Sequence, residues 1–253
     1  MLTSDYTDLT TPSIVADQSL GGLGKAIEEA LRAPNGSGDT EEIQQTCLRF
    51  IKNYTRRIEN HLNRKIMVRL VDQTWVVDSF SNAWKPDSRY TLPSQNPRYS
   101  AYFQEWPVVQ IVSVNADATL ADEMAIEGVE MDLAVIHFDD DLDDWPVQAQ
   151  VFAGYRRPDL DVPGSGETWN SAFNTSALTG LDQDAEVPEL PFDIQTVCND
   201  LVIASLRWEY NRLIGVDESE VDADRMKIKR NKVTSGFVDR ELAKLNTYRH
   251  IPA

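Results

Sequence analysis

The sequence predicts an α+β fold, a helical core with an inserted antiparallel β unit. Three observations carry that expectation. Apolar residues recur at steps of three and four between residues 39 and 64, and again between 191 and 214. Between those stretches, from Lys65 to Tyr155, the period changes to two and the β-branched and aromatic content rises. A helix needs the first pattern because 3.6 residues make a turn, and a half-buried strand needs the second because successive side chains alternate faces.

Residues 1 to about 18 are polar, rich in Thr and Ser, and without periodicity, which predicts a mobile arm. Leu20 to Leu31 reads as a short helix stopped by Pro34-Asn35-Gly36-Ser37-Gly38, so residues 1–38 form a flexible arm and a short helix. The next helix is capped by Asp39 or Thr40, and Asp39 with Glu42 has the spacing of a capping box. Ile43, Cys47, Phe50, Ile51, Tyr54, Ile58 and Leu62 then share one face. Burying most of that stripe is worth on the order of 10 to 15 kcal/mol, at about 2 per large side chain. The opposite face carries Lys52, Arg56, Arg57, Asn60 and Arg64, so the apolar face requires a partner helix.

Within the β unit, residues 65–156, strands are expected at 66–71, 74–77, 108–114, 133–138 and 147–152. Two of them follow the same phrase, Glu105-Trp106-Pro107-Val108 and Asp144-Trp145-Pro146-Val147. Proline lacks an amide donor and so fits the first residue of a strand, with the tryptophan covering the end of the core. Residues 157–190 are rich in Pro, Gly, Ser, Thr and acid and read as a long acidic loop. Fixing so many residues costs roughly 1 kcal/mol or more each in backbone entropy. The loop is therefore expected to be loose alone and to order on a partner, anchored by Trp169 and Phe173. From Pro191 a wide apolar face of Ile194, Val197, Cys198, Leu201, Val202, Ser205 and Trp208 makes the natural partner of the helix through Phe50. A last short helix from about Phe237 groups Val238, Leu242 and Leu245, and the helical core with its tail thus spans 39–64 and 191–253.

The formal charge of −17 argues against a duplex-binding surface, since affinity for the phosphate backbone comes from clustered Lys and Arg. The charge is uneven. Arg225, Lys227, Lys229, Arg230, Lys232, Arg240, Lys244 and Arg249 face only Asp239 and Glu241, whereas the middle of the chain ends in Asp139-Asp140-Asp141-Leu142-Asp143-Asp144. An acidic body with a basic end suits head-to-tail assembly, in which unlike surfaces meet around a ring.

No catalytic residue, metal ligand or cofactor is expected. Cys47 and Cys198 are too few for a disulfide framework or zinc site and fall on apolar helix faces. Gly21-Gly22-Leu23-Gly24-Lys25 has part of a phosphate-loop pattern, but Ser19 stands where its first glycine belongs and Ala26 where Ser or Thr would bind magnesium. The Asp139 to Asp144 run lacks the central glycine and the terminal glutamate of an EF-hand, whose twelfth position is Gln150. His61, His137 and His250 have no ligand spacing. No apolar run approaches the roughly 20 residues that span a bilayer, and Met1-Leu2-Thr3-Ser4-Asp5 has no signal-peptide character, so a soluble protein made in the cytoplasm is expected.

The order of phrases from about Thr40 onward resembles the head–tail connector (adaptor) family of long-tailed bacteriophages and related prophages. The phrases are Tyr54-Thr55-Arg56-Arg57-Ile58-Glu59-Asn60-His61-Leu62-Asn63-Arg64, the strand after Trp106-Pro107, the strand ending Phe152-Ala153-Gly154-Tyr155, the Pro-led helix through Leu201 to Arg212, and the closing Tyr248-Arg249. The resemblance implies a structural virion protein of the neck, made in the host cytoplasm. It implies a ring of about a dozen copies, a dodecamer or near it, between the portal protein and a tail, stopper or terminator protein. DNA would pass through the lumen without sequence readout and no membrane would be involved. It further implies portal docking by Tyr248, Arg249, His250 and Ile251. A negative lumen wall would let the polymer slide. Two other classes would leave different traces: a hydrolase using two carboxylates, with a pocket in the β unit, or a single-stranded nucleic-acid binder, with salt-dependent affinity for oligonucleotides.

Overall fold

A computed structural model describes residues 6–34, 37–78, 83–86, 100–103, 105–116, 126–130, 135–138, 147–157, 178–182, 185–213 and 235–249. The chain is mixed α+β and divides into two compact units, a helical one (1–63 with 191–249) and a β one (64–190 with 250–253).

In the helical unit α1 spans Pro12–Gln18, α2 Lys25–Arg32, α3 Asp39–Leu62, α4 Phe192–Leu213 and α5 Ser235–Ala243. Thr11 caps α1 by accepting the Ile14 amide at 3.4 Å, with Pro12 in the first turn where no amide donor is missed. In α2, Ile27, Ala30 and Leu31 bury one stripe. The stripe of α3 buries Cys47, Leu48, Ile51, Tyr54, Thr55, Ile58 and Leu62, and the helix stops at Asn63, which takes the left-handed conformation that asparagine tolerates. On α4, Ile194, Val197, Cys198, Leu201, Val202, Ile203, Ser205 and Leu206 are all buried, more than one stripe, because the helix is covered on several sides. The buried Tyr54 and Ser205 hydroxyls meet at 2.7 Å and tie α3 to α4.

Two expectations for this unit are corrected. Gly38, with no side-chain bond, caps α3, and Asp39 is its first residue; the backbone closes the turn through Glu42 N–H to Gly38 O at 3.2 Å. The segment read as a mobile arm is packed from residue 6. Tyr6, Leu9, Val15 and Ala16 are buried, Leu9 N–H donates to Thr55 Oγ1 at 3.3 Å, and the buried Asp8 carboxylate lies 3.7 Å from Lys52 Nζ. Its apolar residues are irregularly spaced, so they leave no periodic signature even though each finds the core.

The β unit holds a four-stranded antiparallel sheet in the order β2-β1-β7-β4 and a three-stranded one in the order β3-β6-β5. The strands are β1 Arg69–Asp78, β2 Ala83–Pro86, β3 Ser100–Tyr102, β4 Val108–Ala116, β5 Ile126–Glu130, β6 Val135–Phe138 and β7 Val147–Ala153. The runs expected at 66–71 and 74–77 are joined in one strand, β1, which begins only at Arg69. β2, β3 and β5 were not expected, being short and with little alternation. β7 pairs on both edges, and Val151, Phe152 and Ala153 are all buried. Register slips between Val108 and Gln110 and between Ile111 and Ser113 place irregularities in β4.

The loop prediction is also corrected where the segment is described. Leu178, Leu181, Val187 and Leu190 are buried, Arg156 N–H donates to Pro188 O at 2.9 Å, and Leu190 N–H to Arg156 O at 2.6 Å. Gln110 clasps the segment from β4, donating to Gly180 O at 3.2 Å and accepting the Asp182 amide at 2.8 Å. Backbone pairing adds to these buried side chains in offsetting the entropy of ordering the segment. Trp169 and Phe173, and the acidic run 139–144, lie outside the described residues.

Candidate functional site

The closing segment is the best-defined candidate surface of the helical unit. α5 turns Val238 and Leu242 inward, and Leu245 is fully buried at the start of a 3-10 turn over Asn246–Tyr248. Two side-chain bonds hold that turn. Tyr248 Oη donates to Asp193 Oδ2 at 3.2 Å, and His61 Nε2 meets Asn246 Oδ1 at 3.1 Å. Of the four residues expected to dock on a portal, Tyr248 is partly covered in this bond and Arg249 is exposed. His250 and Ile251 lie outside the described residues.

The sequence did not point to the residues that hold the segment, His61, Asp193 and Asn246, nor to Phe192, which is 69% exposed in the first turn of α4. One signal was present: Phe192 falls off the Ile194, Val197, Leu201 stripe, so a large apolar side chain there has no core to enter. Among the residues expected to pack the helical core, Tyr54, Ile58 and Leu201 are buried. Phe50 and Trp208 are only partly covered, a correction to the expected stripe; the Arg49 guanidinium lies 5.4 Å from the Phe50 ring centre.

The groups with chemical potential are held inert or occupied. Burial pushes the Cys47 thiol up to about 12. Burial pushes Cys198 up as well, with the Asp8 charge and Cys47 adding to the effect. A thiol kept protonated is a poor nucleophile. Burial raises Asp200 too, opposed by Lys244 and Arg207 and assisted by Glu241. The glycine turn before α2 has Gly21 at φ +77° and Gly24 at φ +86°, while Ser19 Oγ donates to Glu28 Oε1 and to Ala16 O. The Ser19 hydroxyl is thus already engaged by a carboxylate and a carbonyl. Among the described residues no group of three or more His, Cys, Asp or Glu could hold a metal ion, and no helix is long and apolar enough to cross a membrane.

In the β unit Arg64 is buried without a carboxylate partner in any described ion pair. Its guanidinium carbon lies 4.2 Å from the Trp106 ring centre and 5.9 Å from that of Tyr155, and Nη1 donates to Trp106 O at 3.2 Å. The two rings meet edge to face at 6.3 Å. Burial raises the Tyr155 phenol, while the charge and hydrogen bond of Arg64 pull it down. Stacking on aromatic faces is what permits an arginine here, since the ring quadrupoles supply part of the lost solvation.

Compared with protein-family models the chain matches none, and no curated protein matches it.

Proposed function

We propose that this chain is a structural ring subunit of a tailed-phage neck, an adaptor between portal and tail that passes DNA without reading its sequence. The observation that supports it most is the closing segment. Leu245 is anchored in the helical unit, side-chain bonds from His61 and Asp193 hold the turn after it, and Arg249 is presented outward. A segment so held offers a preorganised docking element, which lowers the ordering cost of binding. The excess of 41 acidic over 24 basic residues fits a lumen that must not retain phosphate.

Light scattering on the purified protein, alone and mixed with its portal protein, tests the reading. The expected outcome is a ring-sized species or a portal complex, with the complex lost when residues 246–253 are removed. That truncation spares Leu245 and so keeps the anchor of α5. A compact monomer indifferent to the portal protein would sink the proposal.

A further inference from the structure

Among the described residues Leu20 is the most exposed large apolar side chain, at 94%. Its backbone has φ +49°, in the left-handed region that leucine adopts rarely and glycine at no steric cost. A glycine at this position would remove the strain and the apolar exposure together. The turn that carries Leu20 is nevertheless firmly held. Ser19 is buried, and its Oγ meets Ala16 O at 3.0 Å and Glu28 Oε1. Gly22 N–H donates to Ser19 O at 2.9 Å, and Gly24 N–H to Gly21 O at 3.3 Å. The Arg207 guanidinium fills the space that a side chain at Gly22 would take, and Leu23 is buried just beyond. A strained apolar residue carried outward on a fixed turn is a preorganised knob, one that its own chain leaves in water.

A receptor of matching size lies in the same unit. A groove of about 210 Å³ opens where α2, the first turns of α3 and residues 206–210 of α4 meet. The buried Ile27 and Leu206 and the partly exposed Ile43, Thr46 and Tyr210 line it. Its volume falls below the roughly 300 Å³ at which small-molecule sites begin, and suits a single apolar side chain. Asp39, Glu42 and Glu209 also border it; Asp39 and Glu42 are exposed and keep their water when an apolar group enters. We propose that Leu20 enters this groove on a second copy of the chain, so that the helical unit carries both halves of a contact between copies. The occupant is a second copy because knob and hole are both built into this chain, while the knob stands outside its own hole. A copy that offers one of each holds one neighbour and is held by another, as head-to-tail assembly requires. The contact buries the apolar surface exposed at Leu20 and offsets the strain of its backbone. The proposal rests on the association of copies put forward above.

The test uses the full-length chain, read as assembled mass against concentration by light scattering, with portal protein present if assembly requires it. Leu20→Gly is expected to raise the concentration at half-assembly by on the order of tenfold or more. The same variant, measured below its assembly concentration, is expected to melt no lower than wild type, since glycine suits the turn. Misfolding would not produce that pair of results. Thr46→Trp fills the groove and is expected to weaken assembly similarly, with Ile43→Gln in its place if that variant fails to fold. Combining Leu20→Gly with the groove variant weakens assembly no further than the stronger of the two, because both remove one contact. If wild type assembles and Leu20→Gly assembles at the same concentration, the contact is refuted while the ring stands. Effects of knob and groove variants that multiply in the combination place them in separate contacts and also refute the pairing. A marked fall in the melting of monomeric Leu20→Gly means that the leucine serves its own fold, which overturns the proposal. A wild type that forms only a dimer, dissociated by Leu20→Gly, supports the contact and sinks the ring. A wild type that never assembles, with or without portal protein, removes both readings together.

Discussion

Gly154 offers the sharpest test of the β unit, because its backbone cannot accept any side chain. It has φ +125°, and a Cβ built there would lie 2.6 Å from Val68 N, 2.7 Å from Met67 C and 2.8 Å from Ile66 O. All three neighbours are main-chain atoms, so no rotamer change relieves the overlap. The approach is close because the chain is stitched there on both sides. Gly154 N–H donates to Pro107 O, Tyr155 N–H to Ile66 O and Val68 N–H to Tyr155 O, each at 2.9 Å. Gly154→Ala therefore adds backbone strain of about 1 to 3 kcal/mol and an overlap costing a further 1 to 3 kcal/mol or so. A total of about 2 to 6 kcal/mol is a large share of the roughly 5 to 15 that stabilise a domain.

Urea unfolding followed by tryptophan fluorescence measures this, since Trp106 lies beside the stitched segment. The expected result is a fall of roughly 10 °C or more in the melting temperature of the β unit, with the matching loss in urea midpoint. Gly236→Ala is the internal control. It sits in α5 with nothing within 4 Å of an added Cβ, so alanine is expected to add a few tenths to about 1 kcal/mol. If Gly154→Ala costs less than about 1 kcal/mol, the stitched geometry at residues 66–68 and 154–155 is wrong.

The remaining expectations concern the helical unit. Cys47 and Cys198 are expected to resist alkylation in the native protein at pH 8 and to label twice per chain in denaturant. Both thiols are raised on folding, so their contribution to stability is intact below the unfolded value near 9 and is lost as pH climbs, for Cys47 toward about 12. Native melting temperature should accordingly fall at strongly alkaline pH, and fall less in a Cys47→Ala, Cys198→Ala variant. Asp200 is also raised, so it favours the fold while protonated and works against it once ionised. Asp200→Asn should melt slightly higher than wild type at pH 7, with the advantage vanishing as pH drops below the ordinary aspartate range near 4. Tyr54→Phe removes one partner of a buried hydroxyl pair and is expected to cost about 1 to 2 kcal/mol, while adding Ser205→Ala in that background costs little more. A double-mutant cycle by urea unfolding reads this coupling.

What the sequence made legible was whatever repeats. α3 and α4 were readable because burial on one side of a helix leaves a period, and β4 and β7 because β-branched and alternating apolar residues follow a Trp-Pro step. The packed segment from Tyr6 to Ser19 was not readable for the same reason in reverse. Asp8 and Leu9 are buried against Lys52 and Thr55 by single contacts at a separation of more than forty residues, which no local pattern records. β2, β3 and β5 failed because they are three to five residues long, too short for alternation to stand out from chance. At the closing segment the apolar triad Val238, Leu242 and Leu245 gave away the anchor, but the hydrogen bonds to His61 and Asp193 join polar residues whose types are unspecific. The groove lined by Asp39, Glu42 and Glu209 was hidden more completely, since Glu209 stands 167 or more residues from the other two in sequence and meets them only in space.

The phrases that carried the family resemblance have a common physical location. The opening basic phrase ends at Arg64, whose guanidinium lies over Trp106; Trp106 leads into Pro107, whose carbonyl accepts from Gly154; and Gly154 precedes Tyr155, the second ring near Arg64. Three phrases separated by about forty residues each are thus one packing junction, at the point where the β unit begins and where its four-stranded sheet delivers the chain back. A tryptophan and a tyrosine are needed there to shelter an arginine, a proline to start β4, and a glycine to let the strand end pass main chain to main chain. Their shared purpose is to close the inserted unit, and what they specify is architecture. If the proposed role in assembly holds, its determinants lie elsewhere in the chain, in the held turn after Leu245 and in the charge asymmetry between the acidic body and the basic residues from Arg225 to Arg249.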